Sequence, residues 1–146
     1  MTPTEKEIAT DIAGFHHDPY RFVLYSFPWG LPGPLEHEKV EVWQADILKA
    51  IGNGLLTINE AIQIAVASGH GIGKSCLVAW IILWAMATRE NTRGVVTANT
   101  ATQLVTKTWP ELKKWHNLFI AKTWFVVTAT AIYSPDYEKT WRMDAI

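Results

Sequence analysis

The segment Ser68-Gly69-His70-Gly71-Ile72-Gly73-Lys74-Ser75 separates two apolar runs of different character. Before it stands Ala61-Ile62-Gln63-Ile64-Ala65-Val66-Ala67, which reads as a short strand buried on both faces. After it stands Cys76 to Ala87, a twelve-residue apolar stretch without a charge. A membrane-spanning helix needs about 20 such residues, so Ser75 to Thr88 is expected to be a buried helix. A buried strand, a glycine-rich loop and an apolar helix in that order call for an α/β layer, in which sheet and helix cover each other.

The loop has a chemistry of its own. Phosphates bind where several backbone N–H groups point into one concavity, and residues with a Cβ resist the dihedrals this needs. Gly69, Gly71 and Gly73 remove that resistance at alternate positions. The following helix N-terminus adds partial positive charge and unladdered N–H donors. The phosphate-binding pattern is Gly, four free residues, then Gly-Lys-Ser/Thr. Gly73-Lys74-Ser75 satisfies its end, while Ser68 stands where the first Gly is usual. A residue as small as serine still permits the tight turn. The site is therefore read as Ser68, Gly69, His70, Gly71, Ile72, Gly73, Lys74 and Ser75, with ATP and Mg²⁺ as its ligands. Lys74 is placed on the β- and γ-phosphates and the Ser75 hydroxyl on Mg²⁺. The competing reading is an ordinary glycine-rich turn, which three alternating glycines between strand and helix disfavour.

The remaining chain is consistent with such a layer. Its 146 residues suit one domain, and 49% hydrophobic content is enough for a core. Thirteen basic against 14 acidic side chains leave no global footprint for nucleic acid. Cys76 is the single cysteine, so an internal disulfide is excluded and a reducing, cytoplasmic compartment is the natural setting. Glu5, Lys6, Glu7 and Asp11 break up the N-terminus, which lacks the pattern of a secretion signal. A short helix is expected over Glu5 to Ala13, then an extended tract through Phe27-Pro28-Trp29-Gly30-Leu31-Pro32-Gly33-Pro34. Val40, Trp43, Ile47, Leu48 and Ile51 predict a helix from about Glu36 to Ile51, stopped by Gly52-Asn53-Gly54. Strands are expected at Arg93 to Ala98 and Thr123 to Tyr133, with a helix from Thr100 to Phe119 interrupted at Pro110.

Three stretches together resemble the large terminase subunits of tailed bacteriophages. They are Ala65 to Ser75, the run Val95-Val96-Thr97-Ala98-Asn99-Thr100-Ala101-Thr102-Gln103-Leu104 with Thr108-Trp109-Pro110-Glu111-Leu112 behind it, and Trp43-Gln44-Ala45-Asp46-Ile47-Leu48. The resemblance runs from about Phe27 to the last residue. It implies a P-loop NTPase-type parallel sheet with flanking helices, incomplete at its C-terminal side. Residues 1–54 would be a helical and extended segment carrying a glutamine motif, and residues 55–146 the front part of the ATPase domain. In that family an N-terminal ATPase drives DNA into a capsid and a C-terminal nuclease cuts it. Double-stranded DNA, a small terminase subunit and a portal are the implied partners, and a bacterial host cell the implied setting.

The resemblance makes Gln44 the candidate adenine contact, since an amide offers a donor and an acceptor together. The alternative for Gln44 is a solvated polar residue on its helix. Family members often carry Arg where this chain has His70, so His70 reads either as a weaker, pH-sensitive γ-phosphate sensor or as a tolerated loop residue. Trp80 and Trp84, four apart, are expected side by side in the core. Trp109 and Trp115, among Lys107, Lys113, Lys114 and His116, read either as a nucleic-acid track or as an ordinary helix with a solvated face. Catalysis needs more than this. The acids after Ser75 are Glu90, Glu111, Asp136, Glu138 and Asp144, and none follows a four-residue apolar run as Asp-Glu. No catalytic carboxylate is therefore identifiable, and Asp136 and Asp144 are not expected to end buried strands. Tyr137 to Ile146 resembles the stretch upstream of the Walker B strand, so the chain is expected to be C-terminally truncated and not to hydrolyse ATP efficiently alone. A non-catalytic prophage remnant, or a fragment of another helicase-like P-loop NTPase, is the alternative. Marginal stability or self-association is expected where Ala61 to Ala67 would lack neighbours.

Overall fold

A computed structural model describes residues 3–56, 73–98 and 100–146. The strand expected over Ala61 to Ala67, with the sheet edge argued from it, lies outside the described residues, as do Ser68 to Ile72. The chain divides into two compact units, Met1–Ile72 and Gly73–Ile146.

The first unit contains α1 (Glu5–Ala13), α2 (Pro19–Ser26) and α3 (Val42–Gly54). Helix α1 starts where the sequence suggested because Thr4 and Glu7 form a reciprocal cap. The Thr4 hydroxyl accepts the Glu7 N–H at 3.1 Å, and the Glu7 carboxylate accepts the Thr4 N–H at 3.4 Å. Helix α2 was not anticipated, although its start carries two ordinary signals. Asp18 accepts the Arg21 N–H at 3.0 Å, and Pro19 supplies a preset φ at the first helical position. Phe22 and Val23 bury its inner face. The proline-rich tract then turns back, with Gly30 and Gly33 at φ 73° and 138°. The Trp29 indole N–H donates to the Val23 carbonyl at 2.9 Å, fastening the tract to α2.

Helix α3 begins at Val42 and not near Glu36. The intervening residues make turns, with the Glu36 N–H on the Gly33 carbonyl and the Glu38 N–H on the Leu35 carbonyl, around a buried Leu35. Val40 therefore precedes the helix whose apolar face it was expected to join. The glycines do not stop α3 either: it runs through Gly52-Asn53-Gly54 and is capped at Leu55. Gly52 has a different task. A Cβ there would lie 2.9 Å from the His17 carbonyl oxygen, so glycine is what allows α3 to pack closely beside the entry to α2.

The second unit opens with α4 (Lys74–Thr88), one residue earlier than expected, followed by β1 (Arg93–Val96). A continuous helical stretch comes next: α5 (Ala101–Gln103), a π turn (Leu104–Thr108) and α6 (Trp109–Leu118). Pro110 explains the π turn. It has no N–H for the usual i−4 bond, and the Trp109 N–H reaches back five residues to the Leu104 carbonyl. A 3₁₀ turn (Lys122–Trp124), β2 (Val126–Val127), β3 (Ala131–Tyr133) and β4 (Arg142–Ala145) complete the unit.

The described sheet has the order β1-β4-β3-β2. It is mixed, which corrects the expectation of a purely parallel one: β1 and β4 are parallel, whereas β4–β3 and β3–β2 are antiparallel. The reason lies in the stretch Thr123 to Tyr133, expected as one strand. Its threonines fold it into a hairpin, where the Thr128 N–H donates to the Ala131 carbonyl at 2.8 Å and the Thr128 hydroxyl accepts the Ala131 N–H at 3.1 Å. Asp144 lies within β4, opposite Val95 on one side and Ala131 on the other, and does not end a buried strand, since β4 is half-buried and runs on to Ala145.

Helix α4 packs against α6 and the π turn. Trp80 and Trp84 are both buried, as their spacing suggested, and Trp80 meets Trp115 edge-on at 5.3 Å between ring centroids. The His116 Nε2 lies 2.9 Å from the Lys122 carbonyl and 3.1 Å from the Phe125 carbonyl. Both partners only accept, so Nε2 carries the proton and ties the 3₁₀ turn to α6.

Two outcomes follow from these contacts. Gly→Ala inside a helix ordinarily gains up to about 1 kcal/mol, but Gly52→Ala should lose roughly 1–3 kcal/mol, because its methyl meets backbone that cannot swing aside. Urea unfolding reads the sign, and a raised midpoint would contradict the close approach. Tyr25 donates its hydroxyl to Asp11 at 2.9 Å, and burial, with that bond second, pushes its phenol up to about 12. The raised value favours the neutral phenol in the fold, so this stabilisation is complete below pH 10 and is lost as pH rises through 12. In an ultraviolet titration Asp11→Asn should bring one tyrosine back toward 10; an unchanged curve would remove Asp11 from the account.

Candidate functional site

Of the eight expected loop residues, Gly73, Lys74 and Ser75 are described, and they stand where the chemistry requires a helix to open. Gly73 is the N-cap of α4, with φ 71° and ψ 16°, in the left-handed region. Glycine adopts such a conformation at little cost, whereas an L side chain resists it. Its carbonyl accepts the Leu77 N–H at 3.2 Å, the first bond of the helical ladder, and the Cys76 thiol at 3.2 Å. The N–H groups of Gly73, Lys74, Ser75 and Cys76 thus precede the ladder. Lys74 and Ser75 are half-buried on the first turn. A 15-residue helix adds a partial charge of roughly +0.5 at this end.

That turn can attract an anion, present a cationic side chain to it and place a hydroxyl beside it. Ser68, Gly69, His70, Gly71 and Ile72 lie outside the described residues, so both readings of His70 stand as they were.

Gln44 belongs to the first unit and is neither solvated nor on an outer face. It is 3% exposed, and its side-chain oxygen accepts the Glu41 N–H at 2.9 Å, closing the start of α3. This corrects the reading of Gln44 as a solvated residue. The cap was detectable in sequence, since a residue three positions into a helix often reaches back to the cap backbone.

The basic segment is also settled in part by burial. Trp109 and Trp115 are 2% and 4% exposed. The Trp109 indole N–H donates to the Thr128 carbonyl at 2.8 Å and the Trp115 indole N–H to the Glu111 carboxylate at 3.0 Å. Both rings are core, so neither offers a face to a base. Lys107, Lys113 and Lys114 remain exposed, and Lys114 lies 3.9 Å from Glu111.

The acids were expected to supply no catalytic pair. Asp144 is engaged by Arg142, whose guanidinium nitrogens approach its oxygens at 2.7–3.2 Å and whose guanidinium carbon lies 5.8 Å from the Tyr133 ring centroid. Hydrogen bonding to Asp144 holds Arg142 above its ordinary value. Asp136 and Glu138 are exposed in the turn before β4. Among the described residues no group of three or more His, Cys, Asp or Glu side chains is placed to hold a metal, and no helix is long and apolar enough to cross a membrane. Compared with protein-family models, curated proteins and solved structures, the chain matches none.

The left-handed cap makes a direct test possible. Gly73→Ala should cost about 1–2 kcal/mol in urea unfolding without any ligand present. An unchanged midpoint would mean that this residue does not hold a positive φ.

Proposed function

We propose that this chain is the nucleotide-binding front part of a DNA-packaging ATPase of the large terminase type, binding ATP and Mg²⁺ through Ser68 to Ser75. The observation that supports it best is the left-handed Gly73 followed at once by Lys74 and Ser75 on the first turn of a buried helix. An unspecialised turn has no need of a lysine and a hydroxyl at that point. In this reading Gly69, Gly71 and Gly73 let backbone N–H groups approach the phosphates, Lys74 meets the β- and γ-phosphates, and Ser75 ligates Mg²⁺. Gln44 reads adenine, and His70 stands near the γ-phosphate. A parallel pair, β1 and β4, within an α/β unit is compatible with a P-loop sheet.

Binding without efficient turnover is part of the proposal. Hydrolysis needs a carboxylate for the metal and a second to polarise water, and no Asp-Glu follows an apolar run after Ser75. Asp144 is occupied by Arg142. The same observations favour a second reading, a prophage remnant that binds nucleotide weakly or not at all. A fragment of a helicase-like NTPase would share the loop. The implied macromolecular partners are double-stranded DNA, a small terminase subunit and a portal.

Titration with a fluorescent ATP analogue separates the readings. Saturable, Mg²⁺-dependent binding should weaken at least about tenfold in Lys74→Ala, because a charge-assisted phosphate contact is worth roughly 1.5–3 kcal/mol. Equal binding by both proteins, or by neither, would remove the phosphate site. Multiple-turnover hydrolysis abolished in Lys74→Ala would contradict the claim that the chain does not turn over ATP on its own.

A further inference from the structure

We propose that His16 and His17, in the turn between α1 and α2, form a two-imidazole site for a first-row divalent cation such as Ni²⁺ or Cu²⁺. The His16 Nδ1 and His17 Nε2 atoms lie 3.1 Å apart, with ring centroids separated by 4.4 Å and planes at 84°. The two distances together bear on what joins the rings. A straight N–H···N bond of this length would set the centroids roughly 5.4 Å apart, since each nitrogen lies roughly 1.15 Å from its ring centre and such bonds prefer to be linear. A cation about 2.05 Å from both nitrogens would instead set them about 4.8 Å apart, with an angle of about 98° at the metal. The observed separation, 4.4 Å, is shorter than both, so the rings do not face each other end to end, and opening them by about 0.4 Å with the nitrogens still 3.1 Å apart would bring both onto one cation.

The backbone beneath them is fixed before any ion arrives. The Phe15 N–H donates to the Ile12 carbonyl at 2.9 Å, and the Asp18 N–H to the Phe15 carbonyl at 3.0 Å. Asp18 caps α2, and the His17 carbonyl lies against Gly52 of α3. Two adjacent ligands on a turn held from both ends lose less side-chain freedom on binding than two on a loose segment. His17 is exposed and His16 half-exposed, so water completes the coordination. Imidazole nitrogens at a near-right angle suit borderline divalent ions, tightest for Cu²⁺, and do not suit Mg²⁺ or Ca²⁺, which prefer oxygen. The proposal is independent of the phosphate loop.

The test uses the full untagged chain. NiCl₂ is titrated by calorimetry into the wild type, His16→Asn, His17→Asn and, as a control, His37→Asn. One equivalent should bind, with affinity reduced at least tenfold in each of the first two variants and unchanged in the third. Similar affinity in all four proteins would overturn the proposal, the binding then being adventitious. Should a variant lose its helical circular dichroism, substoichiometric CuCl₂ on the wild type decides. The His16 and His17 imidazole resonances should broaden first, and earlier broadening of His37, His70 or His116 would overturn the assignment.

Discussion

Helix α4 has no polar face to turn toward water, and the second unit is organised around covering it. Leu77, Ala79, Trp80, Ile82, Leu83, Trp84 and Met86 are all buried, which commits the helix in nearly every direction. Burying one large apolar side chain is worth about 1.5–3 kcal/mol, so leaving this helix uncovered would cost more than a small domain can spare. The cover comes from particular contacts: Trp115 on Trp80, the Trp141 indole N–H on the Met86 carbonyl at 3.1 Å, and the Thr92 hydroxyl on the Ala85 carbonyl at 3.0 Å. These tie α6, the approach to β4 and the approach to β1 to the one helix.

A helix held this firmly fixes its own first turn, on which the proposed function rests. Gly73 enters the helix in a left-handed conformation, and Lys74 and Ser75 then take their directions from a rigid cylinder. In the proposed function, a first turn fixed in this way leaves little ordering to oppose an arriving anion. The tryptophans of the basic segment belong to the same economy. Trp109 and Trp115 support α6 and the hairpin, and Lys107, Lys113 and Lys114 stay exposed.

How much the sequence disclosed depended on whether local or distant atoms decide each feature. The bounds of α1, the body of α4 and β1 follow from caps, composition and β-branching within a few residues, and these were legible. Helix α2 is equally local in its start signals, Asp18 and Pro19, but at eight residues beside a proline-rich tract it is too short to show a clear apolar period. The start of α3 and the role of Gly52 were not legible, since Gly52 answers to the His17 carbonyl on another element. Likewise Asp144 lies among residues without a strand-like pattern, and it is drawn into β4 by β1 and β3 on either side. At the candidate site, glycine spacing pointed to the left-handed conformation of Gly73, and the cap formed by Gln44 rests on a backbone N–H three residues away.

The central claim is that the first turn of α4 receives phosphate. Amide resonances of Gly73, Lys74 and Ser75, followed by NMR during addition of a non-hydrolysable ATP analogue with Mg²⁺ and separately of adenosine, test it most directly. The account predicts saturable shifts at these three amides with the triphosphate and none with adenosine. Equal shifts with both ligands, or shifts with the triphosphate confined to other residues, would contradict it.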